Sequence, residues 1–201
     1  MEKEIRIFDS EIRGAEDSRE INGTAVVFGK RSQVLGWFVE VIDERAFDDC
    51  DMSDVIACRN HDPDKVMART SAKTLTLVTD KDGIHYKFAA PNTTVGNDTL
   101  EDIKVGNIRK SSFAFSGVKD RWESLEDGTD LRTVMSIAKL YDVSPVTNPA
   151  YLQTDVQANM AKRSYDEWKK ETEEKPKPED SDNDDMGMSW REAKMKILAL
   201  Q

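Results

Sequence analysis

Residues 73–88 read KTLTLVTDKDGIHYKF, and this stretch decides the fold class because its apolar residues recur at every second position. The first half alternates leucine with threonine, an Asp-Gly pair follows, and IHYKF resumes the same period with isoleucine, tyrosine and phenylalanine. A period of two is typical of a strand that buries one face. Asp-Gly between two such segments is a strong signal for a tight hairpin turn. The stretch therefore predicts an antiparallel β-hairpin.

Three further segments carry strand signals on the N-terminal side of this hairpin. Residues 4–8 (EIRIF), 23–28 (GTAVVF) and 36–42 (GWFVEVI) are rich in β-branched and aromatic residues, and glycines separate them. Short strands broken by turn signals are expected of an antiparallel barrel or sandwich. We therefore predict a mainly β fold with flanking helices (α+β), built on a closed or nearly closed antiparallel sheet, for a domain formed by residues 1–165.

Helix signals are fewer and lie toward the C-terminus. One helix is predicted to begin at Asp98, with a capping glutamate three residues later, and to end near Gly106. A second is predicted to begin at the Asn-Pro pair 148–149. Residues 166–186 include ETEEKPKPEDSDNDD, which has almost no apolar residues and predicts a disordered acidic linker. Residues 187–201 predict a short helix that needs a partner in order to fold.

The charge and hydropathy of the chain argue against several classes of function. Its 201 residues carry a net charge of −10, whereas a nonspecific nucleic-acid binder needs a dense basic face for phosphate contacts. No apolar run approaches the roughly 18 residues needed to cross a bilayer. The opening MEKEIRIF lacks the features of a signal peptide. We therefore expect a cytosolic protein that binds neither nucleic acid nor membrane.

Motifs for metal or nucleotide chemistry are missing from the sequence. It contains no pair of CxxC motifs, no HExxH and no GxxxxGKS loop, the patterns that hold zinc and nucleotide phosphates. Cys50 and Cys58 are the only cysteines, and a lone pair in a cytosolic chain is more often two free thiols than a disulfide. We therefore expect no metal, no cofactor and no disulfide.

Only two histidines, His61 and His85, could supply an imidazole base. His61 follows the strand-like segment DVIAC in the turn segment RNHDPDK, from which a side chain can project toward a cleft. The same pattern fits an ordinary surface histidine. His85 lies in the hairpin on the face opposite the apolar residues, so we expect it to face solvent.

The segment IRKSSFAFSGV offers a nucleophile. In a strand, Ser112 lies on the face opposite Phe113 and Phe115, among small residues. If the phenylalanines fill the core, Ser112 faces outward and leaves room for a peptide to approach its hydroxyl. Ser111 shares the face of the phenylalanines and is the rival in the doublet. The pattern is also common in strands that have no catalytic role.

Asp142, in the stretch KLYDVSPVTNPAY, is a third candidate. Serine is a poor nucleophile unless a base removes its proton, and that base works best when a buried carboxylate orients it. Asp142 could supply this carboxylate, and it also fits a surface aspartate. Cys58 with His61 is a competing nucleophile and base, but both lie in one short segment, whereas residues that form a cleft usually come from distant segments.

Four blocks of the chain, in order, resemble the prohead protease family of tailed bacteriophages, which is related in fold to the herpesvirus capsid maturation protease. The blocks cover about residues 20–152 and read INGTAVVFGKRSQVLGWFVEVIDERAF, NHDPDKVMARTSAKTLTL, VGNIRKSSFAF and LYDVSPVTNPAY. The resemblance implies an antiparallel β-barrel of the herpesvirus-protease type, flanked by helices. It also implies a serine endopeptidase that cleaves the capsid precursor or scaffold, and itself, during maturation of the prohead.

The resemblance also implies a role for each of the three candidates. The motif places the nucleophile directly before Phe113, so Ser112 takes that role and His61 becomes its general base. Asp142, at a position where the family commonly has glutamate, orients and stabilises His61. The implied partners are the major capsid protein and its scaffold segment, with the portal and further copies of this chain as additional candidates. The implied location is the inside of the immature capsid, in the host cytoplasm.

Two other hypotheses belong to different classes of protein. One is a catalytically silent assembly factor, a protease-like barrel that binds capsid subunits as a scaffold, with the acidic tail and terminal helix as the contact. The other is a β-barrel binding module in which the motifs arose by chance. Self-processing separates the protease from both.

Overall fold

The computed structural model describes residues 3–8, 12–14, 18–147 and 154–173. The first six strands, numbered in chain order, are β1 (Glu4–Phe8), β2 (Ile12–Gly14), β3 (Glu20–Val27), β4 (Phe38–Ile42), β5 (Ile56–Cys58) and β6 (Val66–Arg69). They are followed by β7 (Leu75–Thr79), β8 (Gly83–Ala89), α1 (Thr94–Lys104), β9 (Lys110–Ser124), β10 (Asp130–Val146) and α2 (Thr154–Glu173).

The hairpin predicted from residues 73–88 is confirmed as β7 and β8. The two strands pair antiparallel, with Leu77 opposite Tyr86. The same alternation also predicts which side chains of β8 are buried. Ile84, Tyr86 and Phe88 are buried, whereas the intervening His85 is only partly buried. The three N-terminal strand segments are confirmed as well, as β1, β3 and β4.

The strands form two sheets. One has the order β2-β3-β8-β7 and is antiparallel throughout. The other has the order β1-β9-β10-β5-β6, and β4 also pairs with β10. In this second sheet β4 and β5 run parallel to β10, and the remaining pairs are antiparallel. The long hairpin of β9 and β10, with 15 and 17 residues, forms the centre of the second sheet.

The mainly β fold with two helices matches the prediction, but the closed antiparallel barrel does not. Among the described residues the strands form two open sheets, and two of the pairings are parallel. Both sheets contribute to one hydrophobic core, which joins Ile21 and Tyr86 of the first to Phe113 and Leu140 of the second. Because the two sheets bury their apolar faces against each other, closure is not needed to keep those faces from water.

Helix α1 begins earlier than the sequence predicted. Its N-cap is Thr93, whose hydroxyl accepts a hydrogen bond from the Gly96 amide at 3.2 Å. The predicted start at Asp98 was wrong because a threonine cap five residues upstream already satisfies a free backbone amide of the first turn. The predicted end is close, since Lys104 is the last helical residue and Gly106 follows with a φ of 82°.

Helix α2 extends into the segment that was predicted to be a linker. It continues to Glu173, so residues 166–173 are helical. Tyr165 and Trp168 are three residues apart on one face of the helix, and both pack on Trp122 of β9. The predicted start at 148–149 and the predicted tail beyond 173 lie outside the described residues.

The chain divides into two compact units, residues 1–168 and residues 169–201. The division into residues 1–165, 166–186 and 187–201 stays a prediction, although its first boundary falls between two residues of α2 that pack on β9. Neither of the two described helices is long and apolar enough to cross a membrane.

Candidate active site

Strands β9 and β10 place a serine and an aspartate on the same face of their sheet. Their antiparallel register sets Ser112 opposite Ser144, and Ala114 opposite Asp142. Residues two apart on a strand share a face, so all four side chains lie on one side. The register shifts between Leu140 and Asp142. Such a bulge bends the strand locally and changes the direction of nearby side chains, and bulges are frequent beside active sites.

His61 reaches this face from the short turn that follows β5. Strand β5 runs parallel to β10, with Ile56 beside Asp142. Asn60 and His61 both have left-handed backbone conformations, with φ of 55° and 59°. For residues other than glycine this costs on the order of 1–2 kcal/mol each, and such conformations cluster at functional sites. The Thr147 amide donates to Asn60 Oδ1 at 2.9 Å and fastens the turn to the end of β10.

The three candidates from distant parts of the chain meet in one line of hydrogen bonds. His61 Nε2 lies 2.6 Å from Ser112 Oγ, and His61 Nδ1 lies 2.6 Å from Asp142 Oδ1. The side chains of His61 and Asp142 are 13% and 9% exposed. With Asp142 ionised, the carboxylate can only accept, so Nδ1 carries a proton and Nε2 is left free to take one from the serine. This arrangement can activate a hydroxyl for attack on a carbonyl.

The resemblance implies that glutamate is common at position 142, so the distance from Asp142 to His61 shows whether the shorter side chain can reach the imidazole. A carboxylate on the shorter side chain still comes within hydrogen-bonding distance of Nδ1. The parallel placement of β5 on β10 brings the histidine turn close enough for the aspartate to span the gap. The structure therefore brings together all three residues that the sequence singled out, and their catalytic roles stay a prediction.

The rival serine, Ser111, points away from this line. Its Oγ lies 2.7 Å from the hydroxyl of Tyr86, and both side chains are buried. Burial raises the pKa of Tyr86 above its ordinary value, so this phenol remains a neutral hydrogen-bonding partner. Ser111 therefore links the two sheets, as its place on the phenylalanine face suggests.

The competing thiol, Cys58, contacts a serine rather than the imidazole. Its Sγ lies 3.2 Å from Ser144 Oγ. Burial, followed by the nearby negative charge of Asp142, raises the pKa of the Cys58 thiol to about 12. The thiolate is the nucleophilic form of cysteine, so this raised pKa disfavours Cys58 as the nucleophile at neutral pH.

The second histidine, His85, lies in a different environment. Its Nδ1 is 3.0 Å from Thr24 Oγ1, and its Nε2 is 3.2 Å from a carboxylate oxygen of Asp80. Its side chain is 38% exposed, which agrees with the predicted solvent-facing position.

The sequence predicted an exposed Ser112, but in the structure this residue is buried. The residue has no accessible surface, and its Oγ also lies 2.9 Å from the carbonyl oxygen of Arg6. Strand β1 runs alongside β9 with Ile7 opposite Ser112. Ser112 lies on the face opposite the buried Phe113, as predicted, but the expected room around its hydroxyl is absent. The strand's own alternation did not include the imidazole of His61 and the backbone of β1, which both contact Oγ.

A buried cluster of charged residues holds β1 in this position. Arg6 donates to both oxygens of Glu40, at 2.6 and 2.9 Å, and to Glu4 at 2.6 Å. Arg132 donates to Glu4, Glu40 and Asp120. Burial alone would raise the pKa of Glu4, but the two guanidiniums hold it below its ordinary value. No sequence pattern marked this cluster, since its members lie on four separate strands.

Among the described residues there is no group of three or more His, Cys, Asp or Glu side chains placed to hold a metal ion.

A serine, an imidazole and a carboxylate joined in this order form the arrangement that serine hydrolases use for acyl transfer. The chain belongs to the Caudovirus prohead serine protease family, whose model matches residues 6–171. Among solved structures, the capsid assembly protease gp21 of bacteriophage T4 is similar, with 11% sequence identity and a TM-score of 0.43. The alignment covers 74% of this chain and 100% of that one. No protein of curated function matches the chain.

Proposed function

We propose that the chain is a serine endopeptidase that cleaves the capsid precursor or its scaffold segment, and itself, during prohead maturation. The observation that carries the proposal is the hydrogen-bonded line from Ser112 through His61 to Asp142, with both contacts to the imidazole at 2.6 Å. Membership of a family of prohead proteases supports the substrate class. The partners are therefore capsid precursor proteins, and the place of action is the inside of the immature capsid in the host cytoplasm.

The residues have distinct roles in the proposed reaction. Ser112 Oγ attacks the carbonyl carbon of the scissile peptide while its proton passes to His61 Nε2. Asp142 accepts from Nδ1 throughout, so it fixes the tautomer of His61 and stabilises the imidazolium. His61 then gives the proton to the leaving amine, and an acyl-enzyme remains on Ser112. A water molecule, activated by the same imidazole, releases the acyl group and restores the serine.

Access to the nucleophile requires a rearrangement. Ser112 has no exposed surface, and its hydroxyl has only one proton to share between His61 Nε2 and the Arg6 carbonyl oxygen. When Nε2 accepts a hydrogen bond from the Ser112 hydroxyl, the serine is ready for attack. When the imidazole is doubly protonated, Nε2 cannot accept, and the hydroxyl proton points to the Arg6 carbonyl oxygen instead. A peptide carbonyl can reach Oγ only after neighbouring groups shift, so this conformation is a closed state of the site.

The test is the intact mass of the purified full-length protein over time, with and without its major capsid protein. Wild type is compared with Ser112→Ala and with a matched control, Ser116→Ala, whose hydroxyl contacts Tyr141 instead of the imidazole. We expect fragments in wild type and in the Ser116 variant, and none in the Ser112 variant. Full cleavage by Ser112→Ala would exclude Ser112 as the nucleophile.

The complete burial of Ser112 favours a second candidate, a catalytically silent assembly factor that binds capsid subunits. In this alternative the line of hydrogen bonds stabilises the junction of three strands and performs no chemistry. The same experiment separates the two, because a silent factor leaves its own mass and that of the capsid protein unchanged even after capsid subunits have assembled.

A further inference from the structure

The line of hydrogen bonds does not end at Asp142. Ser144, two residues further along β10, has no exposed surface, and its Oγ donates to Asp142 Oδ1 at 2.7 Å. This is the same oxygen that lies 2.6 Å from His61 Nδ1. Behind Ser144, the Sγ of Cys58 lies 3.2 Å from the serine hydroxyl. Both additional side chains are buried, so neither contact competes with bulk water.

The topology of the second sheet explains why these groups meet. Asp142 and Ser144 are two residues apart on one strand and therefore share a face. Strand β5 lies parallel to this part of β10, with Ala57 beside Val143. The next residues along the two strands are Cys58 and Ser144, which brings the thiol next to the hydroxyl. The turn that presents His61 begins immediately after Cys58.

The number of available protons fixes which group donates in each of these hydrogen bonds. An ionised carboxylate accepts only, so the one proton of the Ser144 hydroxyl is committed to Asp142. The contact between Cys58 and Ser144 can then be made only if the thiol donates. The raised pKa of Cys58 agrees with this, since the thiol keeps its proton at neutral pH.

We propose that Ser144 is a positioning residue for the reaction, which holds Oδ1 of Asp142 toward His61, and that the Cys58 thiol in turn orients the Ser144 hydroxyl. The inference rests on the proposed function. A carboxylate can rotate about its bond to Cβ, and two donors on one oxygen restrict that rotation. Ser144 and Cys58 transfer no proton and touch no substrate. They preserve the geometry in which His61 accepts the proton of Ser112.

A purely structural role predicts a different set of results. In that case the hydroxyl of Ser144 only satisfies a buried site, and its removal lowers stability without acting through Asp142. A double-mutant cycle distinguishes the two roles because a positioning residue loses its effect once the group that it positions has been changed.

The experiment measures how fast a fluorophosphonate probe, which reacts with activated serines, labels the full-length protein, by intact mass. Ser144→Ala is expected to slow labelling about tenfold in the wild-type background, which corresponds to the lower end of the range for losing one hydrogen bond to a charged group. With Asp142→Asn already present, the same substitution is expected to change the rate less than about twofold. Cys58→Ser, which keeps a donor, is expected to label faster than Cys58→Ala.

Controls separate failure of this inference from failure of the proposed function. Ser116→Ala removes another buried hydroxyl of the second sheet, one that contacts Tyr141, and is expected to label at the wild-type rate. A Ser112→Ala variant that still takes up label, or a wild type that takes up none even with assembled capsid protein present, contradicts the proposed function and the inference with it. If Ser112→Ala is inert, an unchanged rate in Ser144→Ala, or equal slowing in both backgrounds, overturns the positioning role alone.

Discussion

At the scale of single residues, the backbone at Asn60 and His61 fixes where the imidazole lies. Both residues have positive φ, and asparagine adopts this region more readily than most residues because its short amide can bond locally. Here the amide oxygen of Asn60 accepts from the Thr147 amide, just beyond the end of β10. Since β10 also carries Asp142, one strand positions both the histidine turn and the carboxylate that it contacts.

The buried thiol of Cys58 makes the stability of the protein sensitive to alkaline pH. Its pKa is raised from 9.0 to about 12 by burial. Above pH 9 the unfolded chain loses this proton while the folded chain keeps it, so raising the pH favours unfolding. Between pH 8 and 10 we expect the free energy of unfolding, measured with urea, to fall by about 1 kcal/mol less in Cys58→Ala than in wild type.

The other cysteine contributes to this alkaline loss as well. Burial raises the pKa of the Cys50 thiol to about 11, so Cys50→Ala should remove a separate part of the loss and retain the part that comes from Cys58. Identical pH dependence in wild type and Cys58→Ala would show that the thiol ionises as readily in the folded protein as in the unfolded chain.

At the scale of elements, strand β1 is held by charges as well as by its pairing with β9. Arg132 is 2% exposed and contacts carboxylates from three strands. Burial alone would lower the pKa of its guanidinium, but the surrounding carboxylates, that of Glu40 first, raise it. A buried cluster of this kind adds little when intact, yet removal of one member leaves opposite charges buried without compensation.

Arg132→Met should therefore destabilise the protein strongly. Glu4, Glu40 and Asp120 would lose a shared partner, and we expect the free energy of unfolding to fall by about 3–5 kcal/mol. Urea unfolding at neutral pH measures the change. Arg163→Met is the matched control, because Arg163 is exposed and forms its ion pair with Glu167 within α2. Its effect should stay within about 0.5 kcal/mol, and a similar small loss for Arg132→Met would contradict the cluster's role.

At the scale of the whole molecule, the contacts of α2 indicate which part of the C-terminal region stabilises the compact unit formed by residues 1–168. The rings of Tyr165 and Trp168 lie 5.1 and 6.3 Å from that of Trp122. The hydroxyl of Tyr165 also donates to Asp130 at 2.8 Å. These contacts belong to residues 1–168, and the acidic stretch beyond 173 has few apolar residues with which to add others.

Two truncations test this boundary. A chain that ends at residue 173 should keep the melting temperature and the fluorophosphonate labelling of the full-length protein. A chain that ends at residue 164 loses both aromatic contacts, worth at least about 3 kcal/mol, and should melt roughly 6–12 °C lower. Tyr165→Ala with Trp168→Ala in the full-length chain should reproduce that loss. Equal destabilisation by the two truncations would instead give residues 174–201 a structural role.

The sequence by itself determined most of the strands, though not β2 and β6, and it singled out the three candidate site residues. Strand formation is local, because burial of one face imposes a period of two that is readable over a few residues, as in the hairpin β7–β8. The blocks around His61, Ser112 and Asp142 were recognisable for the same reason, since each is short and continuous. The start of α1 was missed because two possible caps, Thr93 and Asp98, lie within one short stretch.

Only the tertiary structure decided how the strands pair and therefore what surrounds the site. The Arg6 carbonyl that contacts Ser112 lies 106 residues away in the chain, and Cys58 is 86 residues from Ser144. The open sheets, the buried serine, the charged cluster and the donors behind Asp142 all depend on such pairings. No local period encodes them, because each results from burying the apolar faces of distant strands in one shared core.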